Sequence, residues 1–456
     1  MLIRAAEIAG RIADVRIRDG RIAAIAADLV PEAGEAVFDA AGGALLPGLH
    51  DHHIHLNAMA AALASLRCGP PEIMSLDDLG AALGGPSGDG WLRGIGYHES
   101  IGRIDRAWLD AHGPDRPIRI QHRGGRMWVL NSAAIELLGG GPADGRLVDG
   151  DQWLRDHLPS CPPDLRPVGV ALARRGVTGL TEVTPRNGPA DLERYRCAGL
   201  PQRLLMMGRR SIDGLPGAGA LKLHYHDHDL PSLDDLACEV AGAHAAGRPV
   251  AAHCVTLAEL MLVLAAIEAA EAHPGDRIEH CGVAPPDAIE WIARLGLTVV
   301  TQPHFVVERG AAYLAEVDAA DLPFLYPLRS LIDAGIRVAA GSDAPFGGID
   351  PWAAMAAAVS RPEGLRPQEV ISPERALALF TGHADDPGGP ARQVAVGEAA
   401  DLCLIDRSWA SARADLAVVD VRATIVDGEL VYSSMKSISP QSSATVAGMR
   451  RIDSAI

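Results

Sequence analysis

The chain has 456 residues, 48% of them hydrophobic, which is enough to bury a large core in more than one structural unit. Its 41 Lys and Arg residues stand against 58 Asp and Glu residues, so the formal net charge is -17. This charge argues against nucleic acid or an anionic membrane surface as a partner. It does not bear on a small-molecule substrate, because the local field in a cleft can oppose the net charge.

Cysteine usage and the first residues indicate a reducing compartment. The seven cysteines are scattered, without a CxxC pair. The stretch MLIRAAEIAGRIADVRIRDG carries too many charges for a secretory signal, and no uninterrupted apolar run is long enough to span a bilayer. We therefore expect a cytoplasmic protein with free thiols.

Both ends of the chain predict short strands. Residues 12–17 and 22–25 are apolar-rich runs on either side of an Asp-Gly turn, which is a strong hairpin signal. Near the other end, ADLCLI and VVDVRATIV are followed by a second Asp-Gly turn and ELVY. We predict one small β-sandwich domain made of residues 1–45 and 395–432. Residues 433–456 are polar and Ser-rich and predict a disordered tail.

The middle of the chain alternates apolar runs with Ala- and Leu-rich helical stretches such as 233–245, 257–271 and 286–295. Nearly continuous apolar strands between helices are typical of a parallel sheet that helices cover on its outer face. Eight runs predict a (β/α)8 TIM barrel, an α/β fold, within residues 46–394. The runs are 44–49, 177–183, 203–207, 220–223, 250–253, 277–280, 297–302 and 336–343.

One alternative to the barrel is an open doubly wound sheet. It is disfavoured because no Gly-rich phosphate loop follows the first strand. The interval from residue 55 to residue 177 is too long for one strand-to-helix connection. We therefore predict that residues 57–150 form an inserted subdomain that caps the barrel mouth.

Polar residues with metal-binding or catalytic chemistry recur at the ends of these runs. A strand that ends in His53 and His55 places both imidazoles on one side of the chain, because strand side chains alternate. Any one of the six residues alone has an ordinary structural explanation. The prediction rests on all six occurring in this order at strand ends, because a TIM barrel places its catalytic residues at the carboxyl ends of its strands. The six are His53, His55, Lys222, His253, His280 and Asp343.

This pattern resembles the amidohydrolase superfamily of metal-dependent hydrolases. PGLHDHHIH is similar to its first-strand motif, and GSDAPFG is similar to its eighth-strand motif. RIEHCGV, TVVTQPHFVVERG and GWLRGIGYHES resemble amidohydrolase family 3, the YtcJ-like branch that includes N-substituted formamide deformylase. The resemblance implies a TIM barrel joined to a sandwich that both chain ends build.

The resemblance also implies a binuclear metal centre. His53 and His55 would hold the more buried ion with Asp343, and His253 and His280 would hold the second. Lys222 would be carboxylated and bridge the two ions, because a free ammonium beside two dications is repelled. Neutral imidazole and oxygen ligands suit zinc, and iron, manganese and nickel stay open.

The expected reaction is hydrolysis of a C–N bond in an amide, an N-acyl or N-formyl amine, or a cyclic amide. A metal-activated bridging hydroxide attacks the carbonyl, and Asp343 carries the proton to the leaving nitrogen. His98, Arg126, Gln302 and His304 are the candidate substrate-binding residues. Arg126 stands where this branch often has a histidine, and its guanidinium could pair with a substrate carboxylate.

Two other functions stay open. A mononuclear deaminase of the same superfamily commonly uses a glutamate three residues after the fifth-strand histidine, where this chain has Thr256. That difference and the presence of Lys222 weigh against it. A metal-free interaction protein on this fold would have lost ligands, whereas all six positions are kept. The substrate and the oligomeric state are not readable from the chain, and a homo-oligomer is compatible with it.

Overall fold

The computed structural model of the chain describes residues 1–85, 88, 90–158 and 162–434. The predicted disordered tail lies almost wholly outside the described residues. Among the helices in the described ranges, none combines the length and the apolar composition that crossing a membrane requires.

The strands in the described ranges are β1 Leu2–Ile8, β2 Arg11–Arg18, β3 Arg21–Ala26, β4 Val37–Asp39, β5 Leu45–Pro47, β6 Leu49–Ile54, β7 Leu66–Arg67, β8 Leu92–Tyr97, β9 Ile118–His122, β10 Met127–Leu130, β11 Arg146–Val148, β12 Val177–Glu182, β13 Arg203–Gly208, β14 Ala218–Leu223, β15 Val250–Cys254, β16 Arg277–His280, β17 Thr298–Thr301, β18 Arg337–Ala340, β19 Leu402–Ile405, β20 Val421–Val426 and β21 Glu429–Ser433.

The α-helices in the same ranges are α1 Leu56–Leu63, α2 Leu76–Leu83, α3 Arg106–His112, α4 Ser132–Leu137, α5 Asp151–His157, α6 Arg166–Ala173, α7 Pro189–Arg196, α8 Leu233–Ala245, α9 Leu257–Ala269, α10 Pro286–Leu295, α11 Phe305–Glu308, α12 Gly310–Glu316, α13 Leu328–Asp333, α14 Pro351–Val359, α15 Pro373–Ala378 and α16 Trp409–Ala412. Helices α14 and α15 begin directly after the capping residues Asp350 and Ser372, whose side chains accept backbone N–H groups.

Eight parallel strands form the predicted barrel sheet, in the order β18-β17-β16-β15-β14-β13-β12-β6. Two backbone hydrogen bonds join its first and last strands just beyond their carboxyl ends. The Asp343 N–H donates to the His53 carbonyl at 2.7 Å, and the His55 N–H donates to the Ala344 carbonyl at 3.0 Å. The approach is so close that a Cβ on Gly341 would lie 2.4 Å from the His53 nitrogen. The prediction of a TIM barrel is therefore confirmed.

The first predicted run, 44–49, was wrong as a barrel strand. Its residues Leu45–Pro47 form β5, which pairs antiparallel with β19 in a different sheet. The barrel strand is β6, which begins at Leu49 and already contains His53. The register of β6 against β12 shifts between Asp51 and Ile54, so His53 lies within a bulge that interrupts the side-chain alternation.

Two four-stranded sheets draw on both ends of the chain. One has the order β3-β2-β1-β4, and the other has the order β21-β20-β19-β5. They share one apolar core, in which Ile3 and Val15 of the first sheet meet Leu402 and Ile425 of the second. Because small sheets are marginal on their own, this shared core stabilises both of them.

Residues Leu56–Val168 form a compact unit of their own, separate from the unit that holds the barrel. It contains a five-stranded sheet in the order β11-β10-β9-β8-β7. Its main core includes Leu79, Tyr97, Leu109 and Ile118, all of them fully buried. This unit begins one residue after His55 and ends 18 residues beyond the predicted boundary at residue 150 (168 − 150).

The shared core of the two end sheets predicts the effect of Leu402→Ala. Leu402 is 1% exposed, so the substitution leaves a cavity and should lower the free energy of unfolding by about 2–5 kcal/mol in urea denaturation. Val418→Ala is the control, because Val418 is 52% exposed and should tolerate truncation. Equal stability of the two variants would contradict a core that both chain ends build.

Candidate metal centre

Two histidines converge on one carboxylate oxygen at the closing edge of the barrel. The Nε2 atoms of His53 and His55 lie 3.3 and 3.2 Å from Oδ1 of Asp343. Neither contact has hydrogen-bond geometry, and Oδ1 is buried without a hydrogen-bond partner among the described residues. Three ligand atoms that face one another in this way, rather than bonding to each other, fit the donor set of a metal ion.

The electrostatic field around His53 and Asp343 favours positive charge. Burial lowers the pKa of His53, but Glu279 and Asp343 beside it raise the pKa above its ordinary value. Burial would raise the pKa of Asp343, but His53 and His55 hold that pKa well below its usual range. Surroundings that hold a proton on a buried imidazole would also attract a metal cation.

His253 and His280 extend the cluster across the barrel. The ring of His280 lies 4.8 Å from the ring of His53 and 4.5 Å from the ring of His253, measured between centroids. His53, His280 and Asp343 each offer a ligand atom within 4.8 Å of the others. Burial lowers the pKa of His280 to about 3 and also lowers the pKa of His253, so both rings are neutral and can donate a lone pair.

Lys222 lies inside the barrel beside these histidines. Its Nζ is buried without a hydrogen-bond partner among the described residues, and it lies 3.9 Å from Oε1 of Glu279. Burial lowers the pKa of Lys222 to about 8, so part of the population carries a neutral amine near neutral pH. A neutral amine is the form that can react with CO2 to give a carbamate.

The rarity of lysine in this chain is a second indication that Lys222 is functional, independent of its position at a strand end. Lys222 and Lys436 are the two lysines of the whole sequence, against 41 Lys and Arg together. Surface cations are therefore almost all arginines, and Lys222 cannot be a routine surface choice. An amine inside the barrel fits a role that a guanidinium cannot perform.

Hydrogen bonds at Nδ1 orient three of the histidines. A ring whose Nδ1–H donates to an oxygen presents an unprotonated Nε2, which is the nitrogen a metal needs. The acceptors for His53 and His280 are oxygens of a carboxylate and of an amide. The three pairs are His53 with Glu279 at 2.5 Å, His280 with Gln302 at 2.7 Å, and His55 with Thr184 at 3.2 Å.

Two of the predicted ligands have unusual backbone conformations. His280 has φ 68° and Asp343 has φ 52°, both in the left-handed region that residues other than glycine rarely adopt. At His280 this conformation breaks the alternation of β16, so Glu279 and His280 both reach His53. Such strain is typical of functional sites, where the surrounding structure holds it in place.

A model of one protein family matches the chain over residues 36–198 and 213–432. Its description is the amidohydrolase family. The chain belongs to the amidohydrolase family. It is therefore an enzyme that hydrolyses carbon–nitrogen bonds other than peptide bonds, as the sequence predicted.

Two relatives of this amidohydrolase match over most of their length. N-substituted formamide deformylase of Arthrobacter pascens is 25% identical over 519 aligned positions, which cover 92% of this chain and 94% of the relative. A protein named YtcJ of Bacillus subtilis strain 168 is 27% identical over 483 positions, which cover 86% and 89%. The predicted YtcJ-like and deformylase-like branch is confirmed.

Solved structures share the fold of the amidohydrolase. An uncharacterised metal-dependent hydrolase of Pyrococcus horikoshii superposes with a TM-score of 0.68 at 18% identity, covering 89% of this chain and 96% of the other. Atrazine chlorohydrolase of Arthrobacter aurescens, complexed with zinc, superposes with a TM-score of 0.54 at 16% identity and covers 97% of each chain. At this identity the likeness shows the fold.

Gln302 and His304, which were predicted to bind substrate, are buried next to two of the predicted ligands, His280 and Asp343. Gln302 is 0% exposed and receives the Nδ1–H of His280. His304 is 2% exposed, and its Nε2–H donates to the carbonyl of Ser342 at 3.0 Å, next to Asp343. These contacts therefore hold the ring of His280 and the backbone next to Asp343.

His98 and Arg126, the other two predicted substrate residues, belong to the unit Leu56–Val168. The guanidinium of Arg126 is 79% exposed and makes two 2.7 Å hydrogen bonds to Asp149. Nδ1 of His98 accepts the backbone N–H of Ser100 at 3.2 Å. Each side chain therefore already has a partner within its own unit.

A second cluster, of His98, Glu99 and His122, also brings possible metal ligands together. Nδ1 of each histidine accepts a backbone N–H, so each Nε2 carries the proton. Nε2 of His122 donates to Glu99 at 2.9 Å. In this tautomer the cluster is a hydrogen-bonded set rather than a metal site.

The bond between His55 and Thr184 predicts the effect of Thr184→Val, which keeps the shape of the side chain and removes the hydroxyl. Zinc affinity should fall by about tenfold, because losing a partner of a ligating histidine typically costs 10–100-fold. The measurement is competition with a chelating indicator. The control is Thr424→Val, where a buried hydroxyl donates to Ala173 in a part of the fold without ligands. Unchanged affinity in the Thr184 variant would contradict the orienting role.

Proposed function

We propose that this amidohydrolase is a metal-dependent hydrolase that cleaves the C–N bond of a small amide at a binuclear centre, with zinc as the expected metal. The observation that carries the proposal is the convergence of His53 and His55 on Asp343 without hydrogen bonds between them. The proposed ligands are His53, His55 and Asp343 for one ion, His253 and His280 for the other, and Lys222 between them.

Lys222 would act as a bridging carbamate. Its neutral Nζ attacks the carbon of CO2, an N–C bond forms, and one proton leaves to solvent. The product carries a negative charge and two oxygen donors, which replaces repulsion between an ammonium and two cations by attraction. Burial of Nζ beside the other proposed ligands supports this role.

The protein side of the mechanism centres on Asp343. Divalent ions bound at the centre would activate a water molecule and polarise the scissile carbonyl. The carboxylate of Asp343 would accept the proton of that water and deliver it to the leaving nitrogen. Neutral His253 and His280 keep their lone pairs for coordination. The products would be an amine and a carboxylate.

N-acyl and N-formyl amines are the proposed substrates, with cyclic amides as a further class. The name of the Arthrobacter pascens relative supports the formyl amines. His98, Arg126, Gln302 and His304 stay predictions as substrate-binding residues. A hydrolysis screen of an amide library with zinc-reconstituted protein, read by release of primary amine, identifies the substrate class. Release of ammonia from ring amines alone would favour the deaminase alternative.

Asp343→Asn tests the proton transfer. The amide oxygen can still coordinate a metal, but the side chain no longer accepts a proton, so kcat should fall by about 10²–10⁴-fold while metal content is kept. Steady-state kinetics and elemental analysis of the same sample give both values. A variant with near-normal kcat would exclude Asp343 as the proton carrier.

Lys222→Arg tests the bridge, and the second lysine of the chain supplies a matched control. The guanidinium keeps the positive charge but forms no carbamate, so metal content should fall from about two ions per chain to one or fewer. Lys436→Arg should leave it at two. Elemental analysis of protein purified without chelators gives the count, and mass spectra in bicarbonate show the CO2 adduct. Two ions in both variants would refute the bridge.

A further inference from the structure

Glu279 is a buried carboxylate that none of the steps above uses. It is 0% exposed and lies inside the barrel between two proposed ligands. Its Oε2 accepts the Nδ1–H of His53 at 2.5 Å, and its Oε1 lies 3.9 Å from Nζ of Lys222. The carboxylate therefore touches the centre without lying among the ligand atoms that converge on Asp343.

A fixed counter-ion holds Glu279 in place. Nε of Arg277 donates to Oε1 of Glu279 at 2.6 Å, so each carboxylate oxygen has its own partner. Arg277 is 2% exposed and is anchored in turn by a 3.0 Å hydrogen bond from its guanidinium to the carbonyl of His52. Burial would raise the pKa of Glu279, but Arg277, Lys222 and His53 hold it well below its usual range.

The three orienting bonds of the centre differ in strength. His55 has a hydroxyl as its partner and His280 has an amide, whereas His53 has a carboxylate at the shortest distance. A carboxylate on the Nδ1–H of an imidazole is a charge-assisted acceptor, which fixes the tautomer and makes Nε2 more basic. His53 is also the histidine that contacts both Asp343 and His280.

We propose that Glu279 is a positioning residue of the metal centre. It orients Nε2 of His53 toward the ions, and Arg277 keeps the Glu279 carboxylate charged and in position. The proposal rests on the proposed binuclear function and adds to it a residue that is not itself a ligand. A purely structural role, in which Glu279 only neutralises the buried guanidinium of Arg277, is the alternative that the experiment must separate.

Glu279→Gln is the first variant. Its amide can accept from His53 or face Arg277, but it supplies no negative charge, so the Kd for zinc should rise by about 10–100-fold. The measurement is zinc competition with a chelating indicator on metal-free protein whose folding is checked by circular dichroism. Glu369→Gln is the matched control: Glu369 is also buried and bonded to an arginine, and its contacts are to Ser330 and Arg366. It should bind zinc like the wild type.

The double variant Arg277→Met with Glu279→Gln separates the two roles. It removes both charges, so a purely structural role predicts that wild-type zinc affinity returns, whereas a positioning role predicts that the loss persists. The cobalt(II) absorption spectrum is a second readout, because altered coordination by His53 changes its bands and a remote packing defect does not. A double variant with wild-type affinity would overturn the proposal.

Glu279→Asp covers the case in which the uncharged variants fail to fold. It keeps the negative charge near Arg277 but withdraws the carboxylate from His53 by one methylene, so zinc affinity should again fall. Wild-type affinity in this variant would also overturn the proposal. Failure of the binuclear function itself is recognisable separately, because the wild type would then bind fewer than two zinc ions per chain in the same assay.

Discussion

The proposed chemistry of this amidohydrolase depends on which ring nitrogen each histidine presents to the centre of the barrel. An imidazole coordinates a metal through an unprotonated nitrogen, so the hydrogen bonds of the ring must fix its proton on the other nitrogen. Oxygens of Glu279 and Gln302 receive the Nδ1–H of His53 and His280, which leaves both Nε2 atoms free. The acceptors come from the barrel strands or the residues that follow them, so the fold and the proposed chemistry depend on the same contacts.

The barrel was predictable because its strands are buried on both faces. Such strands form continuous apolar runs, and those runs mark β12 to β18 to within one to three residues at each end. Helices α8 and α10 have the predicted bounds because their first turns and periodicity are unambiguous. The first run failed because the chain changes sheets at Pro47 and Gly48, where a Cβ on the glycine would lie 2.2 Å from Thr178. A packing constraint of this kind is invisible in an apolar run.

The sequence predicted the proposed ligands of the candidate site but not the residues that hydrogen-bond to those ligands. The six proposed ligand positions follow from polar residues at strand ends. Their side chains form a chain of contacts that begins at the closing edge and crosses the barrel interior: His53, His55 and Asp343, then His280 and His253, with Lys222 close by. The contact of Glu279 with His53 was missed because strand alternation would point Glu279 and His280 to opposite faces of the sheet. The left-handed backbone of His280 brings both side chains toward His53. The contact of Gln302 with His280 was not predicted, because the hydrogen-bond partners of histidine ring nitrogens leave no sequence pattern.

The central claim is that two metal ions and a modified Lys222 lie among these six side chains at the carboxyl ends of the barrel strands. Anomalous X-ray diffraction at the zinc absorption edge, on crystals grown with zinc and bicarbonate, tests it most directly. The account predicts two anomalous peaks, one beside His53, His55 and Asp343 and one beside His253 and His280, with carbamate density on Nζ between them. A single peak with an unmodified lysine, or no peak near these residues, would contradict it.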